Sequence, residues 1–296
     1  MWFDSLENES LKMVAVSGMD GTGKGTLVNL IPEFSQKINR EREPFEDNAD
    51  VLIVQFPNYE THYGKIILEL LKRGAHNYVT REEMMALFAL NRLEMLGNIL
   101  VSSYATLSLG RSLRVLFDRF TTCNLVTIGA WIANAGYGAE ILDLKNKQSR
   151  LQIRDFILDL EQFLYETLKL DQAEIFVPMV PPKVSIEAIQ KDNSRELMDT
   201  YEILEVQEVV NQLYQIFAME QIFPFKIIEQ QTKDKRLDPV SVAKLIKIQS
   251  CSKQNDKSKK IALKKESTIF EEVENAMREL LQNFNDLETK ISKLSI

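Results

Sequence analysis

Residues 13–26 read MVAVSGMDGTGKGT, an apolar run followed directly by a glycine-rich loop that contains a lysine. Gly18, Gly23 and Lys24 have the spacing of a phosphate-binding loop, which needs a strand before it and a helix after it. The glycines let backbone N–H groups point inward, the lysine neutralises phosphate oxygens, and the helix N-terminus adds a favourable dipole. We therefore predict a strand, a phosphate-binding loop and a helix. The alternative is a tight turn that binds nothing.

The loop departs from the usual pattern directly after its lysine. Gly25 stands where most such loops carry Ser or Thr, whose hydroxyl contacts Mg²⁺, and Thr26 follows it. The ending GKGT resembles that of adenylate kinases, which favours a nucleoside monophosphate kinase. Asp20 should face a hydrogen-bond donor such as an acceptor sugar hydroxyl, or else cap a helix. The residues expected to hold the ATP phosphates are Gly18, Gly21, Thr22, Gly23, Lys24, Gly25 and Thr26.

Beyond the loop, short runs rich in β-branched and apolar residues alternate with longer segments of helical period. Such alternation is expected for a parallel sheet with helices on both faces. We predict an α/β protein of the P-loop NTPase-like three-layer class, with a parallel five-stranded sheet flanked by helices. The predicted strands are residues 12–18, 50–56, 112–118, 173–179 and 225–230, and the predicted helices are residues 27–38, 64–72, 81–104, 151–168 and 197–219.

The composition excludes several classes of protein. The chain has 296 residues, of which 45% are apolar and 27% charged, as in ordinary globular proteins. A formal net charge of -7 provides no basic field to attract nucleic acid. Cys123 and Cys251 are too few for a disulfide framework, and they lack the spacing of a zinc site. With neither a secretory signal nor a long apolar span, we expect a cytoplasmic protein without membrane or nucleic-acid partners.

The composition changes near residue 250, which predicts three parts of the chain. Residues 1–248 form the nucleotide-binding domain, residues 249–266 a polar lysine-rich linker, and residues 267–296 an amphipathic C-terminal helix. Apolar residues in the last part recur at alternating steps of four and three, the a/d spacing of a coiled coil. Two interpretations stay open: the helix packs back onto its own domain, or it associates with a second copy or a partner helix.

Five short motifs follow one another in order and at plausible distances: GMDGTGKGT, Phe56-Pro57, Gly64 with the IILELL that comes soon after it, LFALNRLE at residues 87–94, and DRF at residues 118–120. Together they resemble the thymidylate kinase family over about residues 12–248. The resemblance implies transfer of the γ-phosphoryl of ATP, with Mg²⁺, to dTMP, which yields dTDP. It also implies a homodimer.

The resemblance assigns roles to particular residues. Lys24 would hold the ATP phosphates, and Asp20 would accept from the 3'-hydroxyl of the deoxyribose. Phe88 would stack on the pyrimidine and Arg92 would reach its edge, unless they serve core packing and an ion pair. The expected catalytic residues are Lys24, Asp118, Arg119 and Arg195, and the expected acceptor-binding residues are Asp20, Phe56, Tyr59, Phe88, Arg92, Arg119, Cys123 and Thr127.

In the Asp118-Arg119 pair, the arginine would hold the acceptor phosphate. Asp118, with Thr26, would hold Mg²⁺, directly or through water. A buried structural pair is the alternative. Family members place a further arginine either in the loop or in a lid over the nucleotide. Because Gly21 occupies the loop position, a lid at about residues 183–200 must supply the cation. Arg195 is the first candidate and Lys191 the second, the alternative being that Arg195 is a solvated surface residue.

Departures from the family at four positions concern the acceptor pocket. Tyr59 stands where an arginine usually contacts the acceptor phosphate, and Cys123, Asn124 and Thr127 replace the usual Ser, Gly and aromatic residues. The acceptor could therefore be another pyrimidine nucleotide. A third hypothesis is a diverged, non-catalytic kinase domain that serves as a scaffold through its C-terminal helix.

Overall fold

A parallel five-stranded sheet forms the centre of the molecule, with strand order β2-β3-β1-β4-β5. The computed structural model describes residues 11–25, 28, 50–108, 113–134, 146–168, 174–191, 201–223 and 225–229. The strands are β1 (Leu11–Val16), β2 (Asp50–Gln55), β3 (Leu113–Asp118), β4 (Glu174–Met179) and β5 (Phe225–Glu229). All four neighbouring pairs are parallel. The predicted α/β class with a parallel sheet is confirmed, and each predicted strand ends within two residues of the observed one.

Within the described residues, helices occupy the connections from β2 to β3, from β3 to β4 and from β4 to β5. They are α1 (His62–Arg73), α2 (Arg81–Ser108), α3 (Asn124–Asn134), α4 (Lys147–Leu168), α5 (Pro182–Gln190) and α6 (Leu204–Met219). Helices α3 and α5 were not predicted from the sequence. The helix predicted at residues 197–219 begins only at Leu204, because residues 201–203 form a turn. Most of the helix predicted at residues 27–38 lies outside the described residues, as do the linker and the C-terminal helix.

Local side-chain contacts determine where α1 and α2 begin. The Thr61 hydroxyl accepts from the Gly64 N–H at 3.2 Å, and Gly74 closes α1 in the left-handed conformation. At the start of α2, Glu83 accepts from the Thr80 N–H at 2.7 Å while the Thr80 hydroxyl accepts from the Glu83 N–H at 3.2 Å. This reciprocal capping box satisfies two N–H groups that helical hydrogen bonding leaves free.

Helix α2 is the long helix of the core. Within the described residues, its segment Arg81–Ser103 is the one stretch long and apolar enough to cross a membrane, and 56% of it is buried inside the protein. The helix packs against α1, α3, α4 and β2. Its buried positions include the polar Asn91 and Arg92, which make hydrogen bonds inside the protein. These contacts are those of a core helix.

The order of the strands places two loops side by side. β1 lies between β3 and β4, and its last residue, Val16, is in register with Asp118 at the end of β3. After β1, the next two strands of the chain, β2 and β3, lie on one side of β1, and the last two, β4 and β5, lie on its other side. The direction in which strands are added to the sheet therefore reverses at β1. In open parallel sheets, ligands bind in the crevice outside the carboxyl ends of strands at such a point. The glycine loop and the Asp118-Arg119 turn meet there.

Candidate active site

The glycine loop continues directly from β1 and leads into a helix that begins at Lys24. The Ser17 N–H donates to the Phe176 carbonyl at 2.9 Å, and the Arg119 N–H donates to the Val16 carbonyl at 2.8 Å. These two hydrogen bonds continue the pairing of β1 with β4 and with β3 by one residue past the ends of β1 and β3. The predicted strand and loop are therefore present, and the described residues that follow the loop, Lys24, Gly25 and Val28, are helical.

The loop packs closely against α5. Gly21 has a φ of 73°, and a Cβ atom at this position would lie 2.3 Å from the Ser185 carbonyl oxygen. The buried Ser185 hydroxyl donates to the Asp20 carbonyl. Only glycine fits both the left-handed backbone and this close approach. The first half of the predicted lid is thus a helix that buttresses the loop, and Lys191 lies exposed just beyond its end.

Lys24 is held inside the loop. Its side chain is 5% exposed, and its ammonium donates to the Met19 carbonyl and lies 3.6 Å from Asp20 Oδ1. The Thr22 hydroxyl donates to the same carbonyl at 3.0 Å. Burial, followed by the positive charge of Arg119, lowers the pKa of Lys24, while Asp20 opposes the shift. A buried ammonium in a glycine-rich loop is the arrangement that an incoming phosphate would stabilise.

Asp20 connects the loop to the turn after β3. Its carboxylate, 4% exposed, forms a close ion pair with the Arg119 guanidinium. Partial burial alone lowers the pKa of Arg119, but Asp20 and its other neighbours raise it above the ordinary value. The sequence predicted that Asp20 faces a donor. In the structure the donors are protein cations, and the role of Asp20 at a sugar hydroxyl stays a prediction.

Asp118 lies next to the position where most phosphate loops carry a hydroxyl. A Cβ atom on Gly25 would lie 3.6 Å from Asp118 Oδ2. Burial raises the pKa of the Asp118 carboxyl, although Arg119 and Lys24 oppose the shift. An ionised carboxylate that is poorly solvated is well suited to a divalent cation, which stabilises its charge.

Mg²⁺ would fit this position. The described residues contain no group of three or more His, Cys, Asp or Glu side chains that could hold a metal. Nucleotide-bound Mg²⁺ does not need such a group, because it keeps several waters and uses one or two carboxylates together with substrate phosphates. Asp118 provides that carboxylate. Thr26, the other predicted ligand, lies outside the described residues.

A pocket opens beside Asp20 and Arg119, and its volume, which includes space open to solvent, is about 450 Å³. All eight predicted acceptor-binding residues line it. They are Asp20, Phe56, Tyr59, Phe88, Arg92, Arg119, Cys123 and Thr127, and the remaining lining residues are Pro57, Leu71, Asn124, Val126 and Tyr201. The mixture of aromatic and aliphatic walls with a few polar groups is typical of a small-molecule site.

Arg92 is engaged in an ion pair, the alternative that the sequence left open, but its partner and the burial of the pair were not predicted. Its guanidinium pairs with Glu161 of α4, where the two side chains are 2% and 1% exposed. Glu161 also accepts from the Thr121 hydroxyl at 2.6 Å and from Asn124 Nδ2 at 3.2 Å. One terminal nitrogen of the Arg92 guanidinium is therefore bound to a residue outside the pocket lining. A contact with the edge of a base would have to use the other N–H groups of the guanidinium.

Three buried polar atoms of pocket-lining residues have no hydrogen-bond partner within the described part of the chain. They are Arg92 Nε, Asn124 Oδ1 and Thr127 Oγ1. Buried polar groups in proteins are nearly always paired, so groups left unpaired beside a cavity point to a ligand or water that completes them. Their residues are 2% exposed or less.

Asn91 holds the loop that brings Tyr59 to the pocket. Its side-chain oxygen accepts from the Asn58 N–H at 2.9 Å, and its amide nitrogen donates to the Asn58 carbonyl at 3.1 Å and to the Thr61 hydroxyl at 2.7 Å. Phe56, which precedes this loop, is 1% exposed and stacks on Phe117 with ring centroids 5.9 Å apart. Phe56 thus forms the floor of the pocket from within the core.

Sequence reasoning missed four residues of the site: Asn91, Glu161, Ser185 and Tyr201. A signal existed for Glu161, because Ile157, Glu161, Leu164 and Leu168 recur at helical steps of four, three and four, which places a carboxylate on the buried stripe of α4. Ser185 carried no comparable signal. Arg195, the predicted lid cation, lies outside the described residues, and its role stays a prediction.

Comparison with known proteins shows similarity to a solved structure at low sequence identity. No family model matches the chain. No curated protein matches it either. Among solved structures, the chain is similar to a thymidylate kinase from Candida albicans, with 16% sequence identity over 80% of this chain and 92% of that chain, and a TM-score of 0.45. The function therefore has to be inferred from the site itself.

Proposed function

We propose that the protein is a nucleoside monophosphate kinase that transfers the γ-phosphoryl group of ATP to dTMP. The observation that carries this proposal is the continuity of two sites. The phosphate loop with Lys24 and the pocket that ends at Phe88 share Asp20 and Arg119 at their junction. A donor phosphate on the loop and an acceptor phosphate at Arg119 would then face each other. Positioning of this kind is most of what phosphoryl transfer requires.

The transfer exchanges one P–O bond for another. The bond between the γ-phosphorus and the bridging oxygen of ADP breaks while a bond forms to an oxygen of the acceptor phosphate. Lys24 and Arg119 supply positive charge around the transferring group, where negative charge spreads over three oxygens. Mg²⁺, when bound with ATP, would add charge neutralisation next to Asp118. Before the acceptor binds, Asp20 holds the Arg119 guanidinium in place, so the acceptor phosphate competes with Asp20 for the same cation.

The acceptor base would lie between the half-buried Phe88 ring and the walls formed by Leu71 and Val126. Face contacts of this type tolerate any pyrimidine, so specificity depends on polar groups at the edge of the base. Tyr59, rather than an arginine, lines the phosphate end of the pocket. This substitution, together with the small Thr127, supports a second candidate: the same chemistry on another pyrimidine nucleotide.

A coupled assay of ADP release with dTMP, dUMP, UMP, CMP and AMP as acceptors tests both candidates. We expect the highest turnover with dTMP, and Lys24→Ala should reduce turnover at least about a thousandfold because it removes a cation from the transferring phosphates. Lys147→Ala, which removes an exposed lysine of α4, is the matched control. Turnover with another pyrimidine nucleotide above that with dTMP would favour the second candidate. Full activity in Lys24→Ala would disprove the kinase proposal.

A further inference from the structure

Glu161 is a buried carboxylate that does not line the pocket but holds two residues that do. It accepts from Arg92 of α2 and from Asn124 of α3, and the Thr121 hydroxyl donates to its second oxygen at 2.6 Å. We propose that Glu161 is a positioning residue that sets which polar groups Arg92 and Asn124 present to the base of the acceptor. The inference rests on the proposed function, since it assumes that a nucleotide occupies the pocket.

The chemistry of the carboxylate determines the orientation of the Asn124 amide. An ionised carboxylate only accepts hydrogen bonds, whereas an amide can either accept or donate. Because Oε1 of Glu161 accepts from Asn124 Nδ2 at 3.2 Å, the amide oxygen of Asn124 is turned away from Glu161. That oxygen is buried and has no partner within the described residues. Glu161 thus leaves Asn124, a residue that lines the pocket, with its amide oxygen as the unpaired acceptor.

The same carboxylate fixes the orientation of Arg92. One terminal nitrogen of the guanidinium is bound to Glu161, while the Nε–H group stays buried and unpaired among the described residues. The guanidinium lies 5.9 Å from the centroid of the Phe56 ring, which restricts its rotation further. A guanidinium only donates, so Arg92 adds a fixed donor to the acceptor supplied by Asn124.

One donor and one acceptor together match a particular class of ligand. The edge of a pyrimidine presents a hydrogen-bond acceptor next to a donor, whereas a phosphate or an ionised carboxylate presents acceptors alone. Leaving the two protein groups unpaired in a buried position is unfavourable, so a base that pairs with both gains affinity over one that pairs with one. Glu161 therefore sets the preference between bases without touching them.

This role differs from that of a purely structural ion pair. Buried ion pairs contribute little to stability on average, because the loss of hydration offsets their attraction. A structural role predicts that replacing Glu161 weakens the whole protein and affects every ligand alike. A positioning role predicts a loss that depends on the base. Glu161→Gln distinguishes the two, because a glutamine can donate to Asn124 and let its amide turn over.

The experiment is calorimetric titration of the full chain and of Glu161→Gln with dTMP, dCMP and deoxyribose 5-phosphate, which has no base. We expect Glu161→Gln to bind the preferred nucleotide about tenfold more weakly. The ratio of the affinities for dTMP and dCMP should fall by a similar factor. Affinity for deoxyribose 5-phosphate should stay within about twofold, because that ligand makes no base contact. Glu220→Gln, which breaks the Arg150–Glu220 ion pair, is the matched control and should leave all three affinities unchanged.

Thr121→Val is a second variant for the case that Glu161→Gln does not fold. It removes a donor to Glu161 with little change in volume, and Thr121 does not line the pocket. We expect a smaller loss with the same dependence on the base. The inference is overturned if the folded variants keep the same ratio of affinities for dTMP and dCMP, or if their affinities for all three ligands fall equally. Either result leaves the kinase proposal intact. Failure of the unsubstituted protein to bind either nucleotide overturns both.

Discussion

Asp118 lies in an environment that disfavours the ionised form of its carboxyl group. Burial raises the pKa of its carboxyl from the ordinary value of 3.8, and the neighbouring Arg119 and Lys24 only partly compensate. The folded protein therefore holds this proton more tightly than the unfolded chain does. By linkage, ionised Asp118 destabilises the unliganded fold, and this effect is complete above the raised pKa and absent below 3.8.

This environment predicts the behaviour of Asp118→Asn. At pH 7 the variant should have a higher free energy of unfolding than the unsubstituted protein, because it no longer buries an ionised carboxylate. The difference should shrink as the pH falls through the raised pKa towards 3.8. Turnover should drop about a hundredfold or more, because a charged group beside the transferring phosphoryl is lost. Thermal unfolding of both proteins between pH 3 and 7 checks the first part, and a difference that grows at low pH would contradict it.

The resemblance to a kinase family, together with local spacing, indicated which side chains line the pocket, but not how each is engaged. Phe88 and Arg92 stand four positions apart on a helix, and Asp118 and Arg119 end a strand, so local periodicity brings them to one place. The pairing of Arg92 with Glu161 joins residues 69 positions apart. Such a contact depends on how α4 packs on α2, which no local pattern contains.

Among the elements of secondary structure, the strands were the most predictable from the sequence, whereas helices α3 and α5 were not predicted. β3 reads LRVLFD and is buried almost throughout, and a run of this kind between loops indicates a central parallel strand. α3 reads NLVTIGAWIAN and is buried almost throughout because it packs between α2 and α6, and a short, mostly apolar run of this kind does not by itself distinguish a helix from a strand. α5 is nine residues long and begins at a proline pair, which resembles a loop.

The contact between α5 and the phosphate loop predicts opposite effects for two neighbouring glycines. Gly21→Ala places a Cβ atom 2.3 Å from the Ser185 carbonyl at a positive φ, so the loop and α5 must separate. We expect a loss of about 2 to 4 kcal/mol in the free energy of unfolding. Gly25→Ala adds its Cβ within a helix at 3.6 Å from Asp118 Oδ2, an ordinary contact. It should be neutral or add up to about 1 kcal/mol, because alanine is the better helix former.

Urea unfolding of the two variants beside the unsubstituted protein measures these differences. The pair controls for the general effect of adding a methyl group to the loop, since both substitutions are identical and lie four residues apart. Equal destabilisation by both would mean that the contact between Gly21 and α5 does not hold the loop.

At the scale of the whole molecule, the strand order explains how distant parts of the chain form one site. The loop after β1, the turn after β3 and helix α5 after β4 all emerge at the same edge of the sheet, because β1 is flanked by β3 and β4. Helix α2 brings Phe88 and Arg92 to that edge from the side of β2. The described residues of the site extend from Ser17 to Tyr201.

This confinement predicts the effect of removing the C-terminal segment. Deleting residues 262–296 should leave kcat and KM for ATP and the acceptor within about twofold, because the described residues proposed to hold the donor phosphates and the acceptor lie between residues 17 and 201. Oligomeric state, measured by light scattering, should change only if the predicted helix at residues 267–296 joins two copies. Retained turnover together with loss of a partner would separate the enzyme from an additional interaction. A deletion that abolishes turnover, with its fold intact by circular dichroism, would mean that the C-terminal segment completes the active site.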